Sequence, residues 1–243
     1  NRIEVFDDAS DIQVYDTEKN ELLLSSLLRQ DSIYETYPVF SADGRSLYFC
    51  AAQALPEGNH QLDSIRYNLC RIDFNPETGT FGSQIDTIVD AVSQHKSVSF
   101  PRPSYDGRFL CYTLSDYGQF SIWHHEADLW IMDLATGESR PMSLANSGDT
   151  ESYHSWSSNS RWMVFSSRRD DGLYTKPYFS YIDGDGNAHK PFLLPQEDPR
   201  QNMWRLKSYN APEFIKNKIS DMMTEEECPV CHASSDKFKK VEG

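Results

Sequence analysis

The chain has 243 residues, 38% of them hydrophobic and 13% aromatic, which suits one large all-β domain or two small ones and excludes global disorder. Its 23 Lys and Arg against 37 Asp and Glu leave a formal charge of −14, a surface that repels phosphate backbones and anionic lipid and so argues against nucleic acid as the main partner. No apolar run reaches the length of about 18 residues that would read as a transmembrane segment. The chain begins at Asn1 and reads as a processed or truncated piece of something longer. Its five cysteines, Cys50, Cys70, Cys111, Cys228 and Cys231, are odd in number and scattered, which is not a disulfide framework.

In chain order, the first element is a strand ending in Asp, Ile12-Gln-Val-Tyr-Asp16, followed by the polar turn Thr17 to Asn20. A hairpin comes next: the strand Tyr37 to Ser41, the turn Ala42-Asp-Gly-Arg45 and the return strand Ser46 to Cys50. Asp-Gly tolerates the positive φ angles of hairpin turns. On the return strand, Leu47 and Phe49 alternate with Tyr48 and Cys50, so both faces are apolar and both should be covered. The Asp-ended strand recurs as Leu69-Cys-Arg-Ile-Asp73, with Asn75 to Gly79 as its turn. The hairpin then returns as Phe100 to Arg108 with Phe109 to Thr113, and again as Tyr153 to Arg161 with Trp162 to Ser166. Between and after these lie Leu129-Trp-Ile-Met-Asp133 and Phe179-Ser-Tyr-Ile-Asp183.

The copies share one register. Ser41, Ser104 and Ser157 each fall two residues before the turn Asp or Asn. Leu47, Leu110 and Met163 align, as do Phe49, Tyr112 and Phe165. Cys111 then aligns with Tyr48 and Val164, which makes it a small buried hydrophobe rather than a ligand, and Cys50 is read the same way. The Asp residues of the second element are separated by 73 − 16 = 57, 133 − 73 = 60 and 183 − 133 = 50 positions. Each unit thus holds two hairpins, or four strands, at the period of a propeller blade. Extra residues fall between the second and third strands of every unit, at Gln53 to Tyr67, Asp116 to Ala127 and Arg168 to Pro177, so they should emerge on one face.

The run Trp156-Ser-Ser-Asn-Ser-Arg-Trp-Met-Val-Phe-Ser-Ser-Arg-Arg-Asp170, followed by Tyr181-Ile-Asp183, resembles the repeat of TolB-like propellers, also called the PD40 or WD40-like repeat. Ala42, Tyr105 and Ser158 replace the proline of that repeat, and Asn159-Ser160 replaces one Asp-Gly. The resemblance covers about residues 10 to 195 and implies an all-β propeller of four-stranded blades, about 3.5 of them in this chain. The blade units are about 3–30, 37–92, 98–147 and 151–195, within a propeller at 1–195. It also implies a periplasmic or outer-membrane-associated protein of a Gram-negative bacterium, in a family where many members are docking modules. A ring of 3.5 blades would leave open sheet edges, so either the missing blades lie in the upstream part of the same protein, which is the expectation, or two copies pair.

Residues 196–243 form a tail. Asn210 as a cap and Pro212 in the first turn predict a short helix over about 212–224. Beyond it, Cys228-Pro-Val-Cys231-His232 has the spacing of c-type haem attachment: two thiols for the haem vinyl groups and an adjacent histidine for the iron. The same pair could equally be inert or redox thiols, or half of a zinc site.

Elsewhere, Asp183-Gly-Asp-Gly-Asn187 mimics an EF-hand loop, but the twelfth position is Leu194, so a hairpin turn is expected and no metal site. His124, His125 and His154 either meet on a metal at the channel mouth, in an arrangement resembling propeller lyases that cleave pectic oligosaccharides, or are unrelated histidines. No G-x-S-x-G nucleophile motif, phosphate loop or dinucleotide fingerprint is present. No catalytic residue is assigned. The expected function is a non-catalytic secreted or periplasmic scaffold that binds a protein or other ligand through the insertion loops, with Trp123 as an aromatic anchor. The alternatives are an electron-transfer accessory protein with haem on Cys228, Cys231 and His232, and a lyase-like enzyme with metal-binding histidines.

Overall fold

The structure is a computed structural model that describes residues 9–56 and 62–216. A two-stranded sheet comes first, β1 (Val14–Asp16) with β2 (Glu21–Leu23). Three four-stranded antiparallel sheets follow. The first holds β3 (Ile33–Phe40), β4 (Ser46–Gln53), β5 (Asn68–Asn75) and β6 (Thr80–Val89). The second holds β7 (Ser97–Pro103), β8 (Phe109–Ser115), β9 (Asp128–Asp133) and β10 (Ser139–Pro141). The third holds β11 (Glu151–Trp156), β12 (Trp162–Ser167), β13 (Lys176–Tyr181) and β14 (Phe192–Leu193). Every sheet is a simple meander, each strand paired with its neighbours in sequence.

Alternation along the strands gives each sheet two apolar faces, and where two sheets adjoin each covers a face of the other. Leu47, Phe49 and Ile72 pack with Ile12 and Leu28 of the N-terminal segment. Tyr48, Cys50 and Leu69, on the opposite face of the same strands, meet Leu110, Tyr112 and Met132 of the second sheet. Phe109, Cys111 and Ile131 in turn meet Met163, Phe165 and Tyr178 of the third. Cys50 and Cys111 are fully buried in these interfaces, and burial raises the pKa of both thiols well above the ordinary value. The far face of the third sheet carries Trp162, Phe179, Tyr181 and Phe192 in mutual ring contact. Tyr181 and Phe192 are exposed there.

The repeated turn is built the same way three times. Ser41 Oγ donates to Asp43 Oδ1 at 2.6 Å and accepts from Ser46 N at 2.9 Å, while Arg45 N donates to the same carboxylate at 3.0 Å. Ser104 with Asp106, and Ser157 with Asn159, repeat all three bonds. Gly44 and Gly107 take φ near +70°, at +69° and +71°, and Ser160 takes the same place at +56°. Ser160 stands where Gly would relieve that strain because its buried hydroxyl accepts from Asp106 N of the neighbouring sheet at 3.0 Å.

The outer turns are also a series. Asp16, Asn75, Asp133 and Asp183 each accept two backbone N–H groups just downstream. In the first four-stranded sheet that residue is Asn75 rather than the expected Asp73, because the β5–β6 pairing shifts register between Ile72 and Phe74 and carries the strand two residues further. Asp183 to Asn187 is a hairpin turn, its carboxylate occupied by Asp185 N and Asn187 N at 2.9 and 2.8 Å. Gly186 (φ +77°) is required there: a Cβ would lie 2.7 Å from the Phe109 ring of the preceding sheet.

The tail departs from expectation. A single helical turn, α1 (Gln201–Trp204), precedes the expected helix, and residues 205–215 carry no regular structure. The remainder of the helix expected over 212–224 lies outside the described residues. The chain instead runs against the third sheet: Tyr209 N donates to Thr175 O at 3.0 Å, Ser166 Oγ to Asn210 O at 3.2 Å, and Phe214 meets Phe179 edge-on at 5.8 Å.

Ser104→Ala removes both hydroxyl bonds of a buried serine. It should lower stability by about 1–3 kcal/mol, read as a lower urea midpoint at unchanged slope. The half-exposed Ser41→Ala should shift the midpoint less. Equal midpoints for wild type and Ser104→Ala would mean the turn closes without its serine.

Candidate functional site

The first strands of the three sheets, β3, β7 and β11, lie side by side. Each contains a one-residue bulge, between Thr36 and Val39, Ser99 and Arg102, and Ser152 and Ser155. In each bulge an aromatic residue adopts a left-handed backbone: Tyr37 at φ +53°, Phe100 at +52° and Tyr153 at +51°. Such a conformation is strained for a bulky side chain. It aims the three rings along one line, Tyr37 to Phe100 at 4.1 Å and Phe100 to Tyr153 edge-on at 4.8 Å.

The meander topology sends the β4–β5, β8–β9 and β12–β13 loops to one end of the sheets, opposite the serine turns. The β8–β9 loop holds a 3-10 helical turn, Ser121–Trp123. A buried chain of hydroxyls anchors it. Ser121 Oγ lies 3.0 Å from Ser99 Oγ and 2.8 Å from Ser152 Oγ, and Thr150 Oγ1 donates to Ser121 O at 3.0 Å. Those partners sit on or beside β7 and β11, so the turn is fixed to the first strands. Ile122 points inward and Trp123 outward, 46% exposed.

Trp123 forms one wall of a pocket of about 280 Å³, together with Ile122, Tyr153, Arg168, Leu173 and Tyr209. The Arg168 guanidinium stacks over the indole at 5.1 Å. The tail closes one side through Tyr209, held by its backbone bonds to Thr175. Next to the pocket wall, Glu151 is buried but fully engaged by Ser147, Ser167 Oγ at 2.7 Å and Arg169 at 2.9 Å. It pins the β10–β11 loop to β12.

The three histidines do not meet. His124 Nδ1 is 3.4 Å from Glu126 and its ring packs on Tyr117, whereas His125 Nδ1 is 3.1 Å from Asp149 on the exposed surface. His154 is on β11, in the bulge position that Pro38 and Pro101 occupy, and is buried between sheets. Neither of its ring nitrogens has a well-aligned hydrogen-bond partner. Burial, reinforced by the Arg102 guanidinium, drives its pKa down to about 3 against the opposing pull of the Cys111 and Phe100 backbone. Among the described residues no three His, Cys, Asp or Glu side chains are placed to hold one metal ion. Cys228, Cys231 and His232 lie outside the described residues.

No protein-family model matches the chain, and no curated protein matches it. Solved structures do. A puromycin-hydrolyzing peptidase of Mycobacterium tuberculosis aligns at 14% identity and a TM-score of 0.51, over 78% of this chain and 28% of its own. An oligogalacturonate lyase in complex with manganese aligns at 13% and 0.51, over 79% and 50%. A putative TolB from Agrobacterium tumefaciens aligns at 16% and 0.41, over 68% and 50%. This chain has the fold of β-propeller blades. Its three four-stranded sheets are blades, and β1–β2 is a two-stranded sheet beside the first of them. The chain spans half or less of each of these structures, and at such identities the likeness concerns the fold.

Trp123 was legible as an exposed aromatic in a long loop. Arg168, Tyr153 and Tyr209 were not, since only the folded chain brings the second loop, the first strand and the tail to one place.

His154 stays neutral in the native protein down to about pH 3, while in the unfolded chain it takes up a proton near the ordinary 6.5. Its depressed pKa therefore contributes stability that is complete above pH 6.5 and lost as pH falls toward 3. His154→Leu should lose less stability than wild type between pH 7.5 and 5, by urea midpoint. Identical pH profiles for the two proteins would show that the ring takes up its proton in the native protein as readily as in the unfolded chain.

Proposed function

We propose that this chain is part of a TolB-like, non-catalytic propeller scaffold that binds a protein or other ligand through the loops at one end of its blades. The observation that supports this reading most is the mounting of Trp123. An exposed indole stands on a helical turn locked by buried hydroxyls, at the rim of a pocket and on the end where the insertion loops emerge. Rigid, pre-organised aromatics at a pocket rim are the residues that concentrate binding energy. The repeat resemblance supports a secreted or periplasmic setting. Among the described residues no helix is long and apolar enough to cross a membrane. The aromatic face left exposed on the third blade, and the two-stranded sheet at the other end, are where further blades of a longer protein would pack.

The metal-dependent lyase reading fits less well, because the histidines it needs are apart and two of them, His124 and His154, are buried. The haem reading rests on Cys228-Pro-Val-Cys231-His232 alone. Protein made with the haem-attachment machinery would show on that reading a haem absorption band that survives acid denaturation. Colourless protein from the same host would end it.

A photo-crosslinking amino acid at position 123 should capture a partner from the native host, while one at Thr136, in the turn at the opposite end, should not. Trp123→Ala should weaken that partner about tenfold or more while leaving the melting temperature nearly unchanged. Equal capture from both ends would refute the one-face reading.

A further inference from the structure

We propose that the pocket beside Trp123 recognises a carboxylate carried on a flat or apolar body, and that Arg168 is the group that binds it. The proposal deepens the reading that this end of the blades is the binding face, and rests on it.

Arg168 is nine-tenths buried, at 8% exposure, and its guanidinium offers five N–H donors. Within the described residues two of its nitrogens find acceptors, and both are backbone carbonyls: Nη1 reaches Ile122 O at a long 3.5 Å, and Nη2 bonds Gly172 O. Nε is buried with no partner. Among the described residues no acidic side chain pairs with it. Its neighbours are treated otherwise: Arg169 is held by Glu151 at 2.9 Å, and Lys176 by Asp170 and Asp171 at 3.0 and 3.3 Å. In a chain with a net charge of −14, acidic groups are plentiful, yet none of the described ones is supplied here. A buried cation without a counter-ion is expensive unless an anion completes it.

The surroundings narrow the class of anion. Among the described residues Arg168 is the only cation lining the pocket, and the other walls are mostly the rings of Trp123, Tyr153 and Tyr209 and the side chains of Ile122 and Leu173. A phosphate ester carries up to two charges and calls for several donors. A single planar guanidinium matches a carboxylate, which it can grip with two parallel N–H bonds. The aromatic and apolar walls then call for a planar or hydrocarbon group next to that carboxylate. A volume of about 280 Å³ is that of a body the size of one amino acid, not of a longer oligomer.

The test uses the intact chain and two probes that differ in one group, N-acetyl-phenylalanine and its neutral amide N-acetyl-phenylalaninamide. By calorimetry or NMR titration, the acid should bind at least tenfold more tightly than the amide. Arg168→Gln should bring the acid down to the level of the amide, and Arg168→Lys should fall between, because it keeps the charge and loses the fork. Circular dichroism and melting curves check that both variants fold. The acid–amide comparison stands on wild-type protein alone. Equal binding of the two probes, no binding of either, tighter binding of inorganic phosphate than of the acid, or a folded Arg168→Gln variant that keeps its preference each overturns the proposal. Crosslinking from position 123 separates it from the broader reading. Capture that survives Arg168→Gln and is not competed by N-acetyl-phenylalanine keeps the binding face and removes the carboxylate pocket.

Discussion

A sheet with apolar side chains on both sides cannot stand alone in water, and every four-stranded sheet in this chain is of that kind. Leu47 and Phe49 commit one face of the first blade, Tyr48 and Cys50 the other, and neither face is stable without a neighbour. Stacking blade on blade is the solution, and the rest follows from it. The loops fall at two ends because the strands alternate. The first strands come together because the blades fan about a shared line. The chain's three blades cover each other in series, which leaves rings such as Tyr181 and Phe192 open on the last of them.

The same stacking explains why strain collects where it does. The first strands crowd together, and a regular strand would turn every second ring into its own blade. One extra residue in each, held in a left-handed conformation, turns Tyr37, Phe100 and Tyr153 across the seams instead. The third of these rings also walls the pocket, so the feature that joins the blades helps to shape the candidate site. Below it, the hydroxyls of Ser99, Ser121 and Ser152 carry the position of those strands out to Trp123. Glu35 shows how burial sets charge at the other end of the chain. Covered by residues 10–12, its carboxyl is pushed up to about 7, chiefly by desolvation.

Local patterns were readable in the sequence because their causes are local. The Ser-x-Asp turn is closed by bonds spanning at most five residues, and it was visible three times. The burial of Cys111 followed from its register, and the turn at Asp183 from a missing twelfth ligand. What escaped depends on distant partners or on small irregularities. The register shift that makes Asn75 the capping residue leaves no mark in the spacing of apolar residues. Asn210 and Pro212 look like the start of a helix, yet the backbone there is drawn to Thr175 and Ser166. His154 carries nothing in its neighbours to say that it is buried. The open guanidinium of Arg168 is a property of three separate segments, and the run Ser166-Ser-Arg-Arg169 reads simply as one more copy of the repeat.

The alternating faces also bear on how such a chain can change length. Because each seam joins the same two kinds of face, a whole blade of roughly 50 residues can be duplicated or lost and leave the new neighbours complementary. One residue inserted into β8 would instead exchange Cys111 with Tyr112 across the sheet and spoil both seams at once. Change by single residues is therefore confined to the bulges and the end loops, where the chain already departs from strict alternation. Those loops are also where Trp123 and Arg168 stand, so the part of the molecule free to diverge is the part that would choose a ligand.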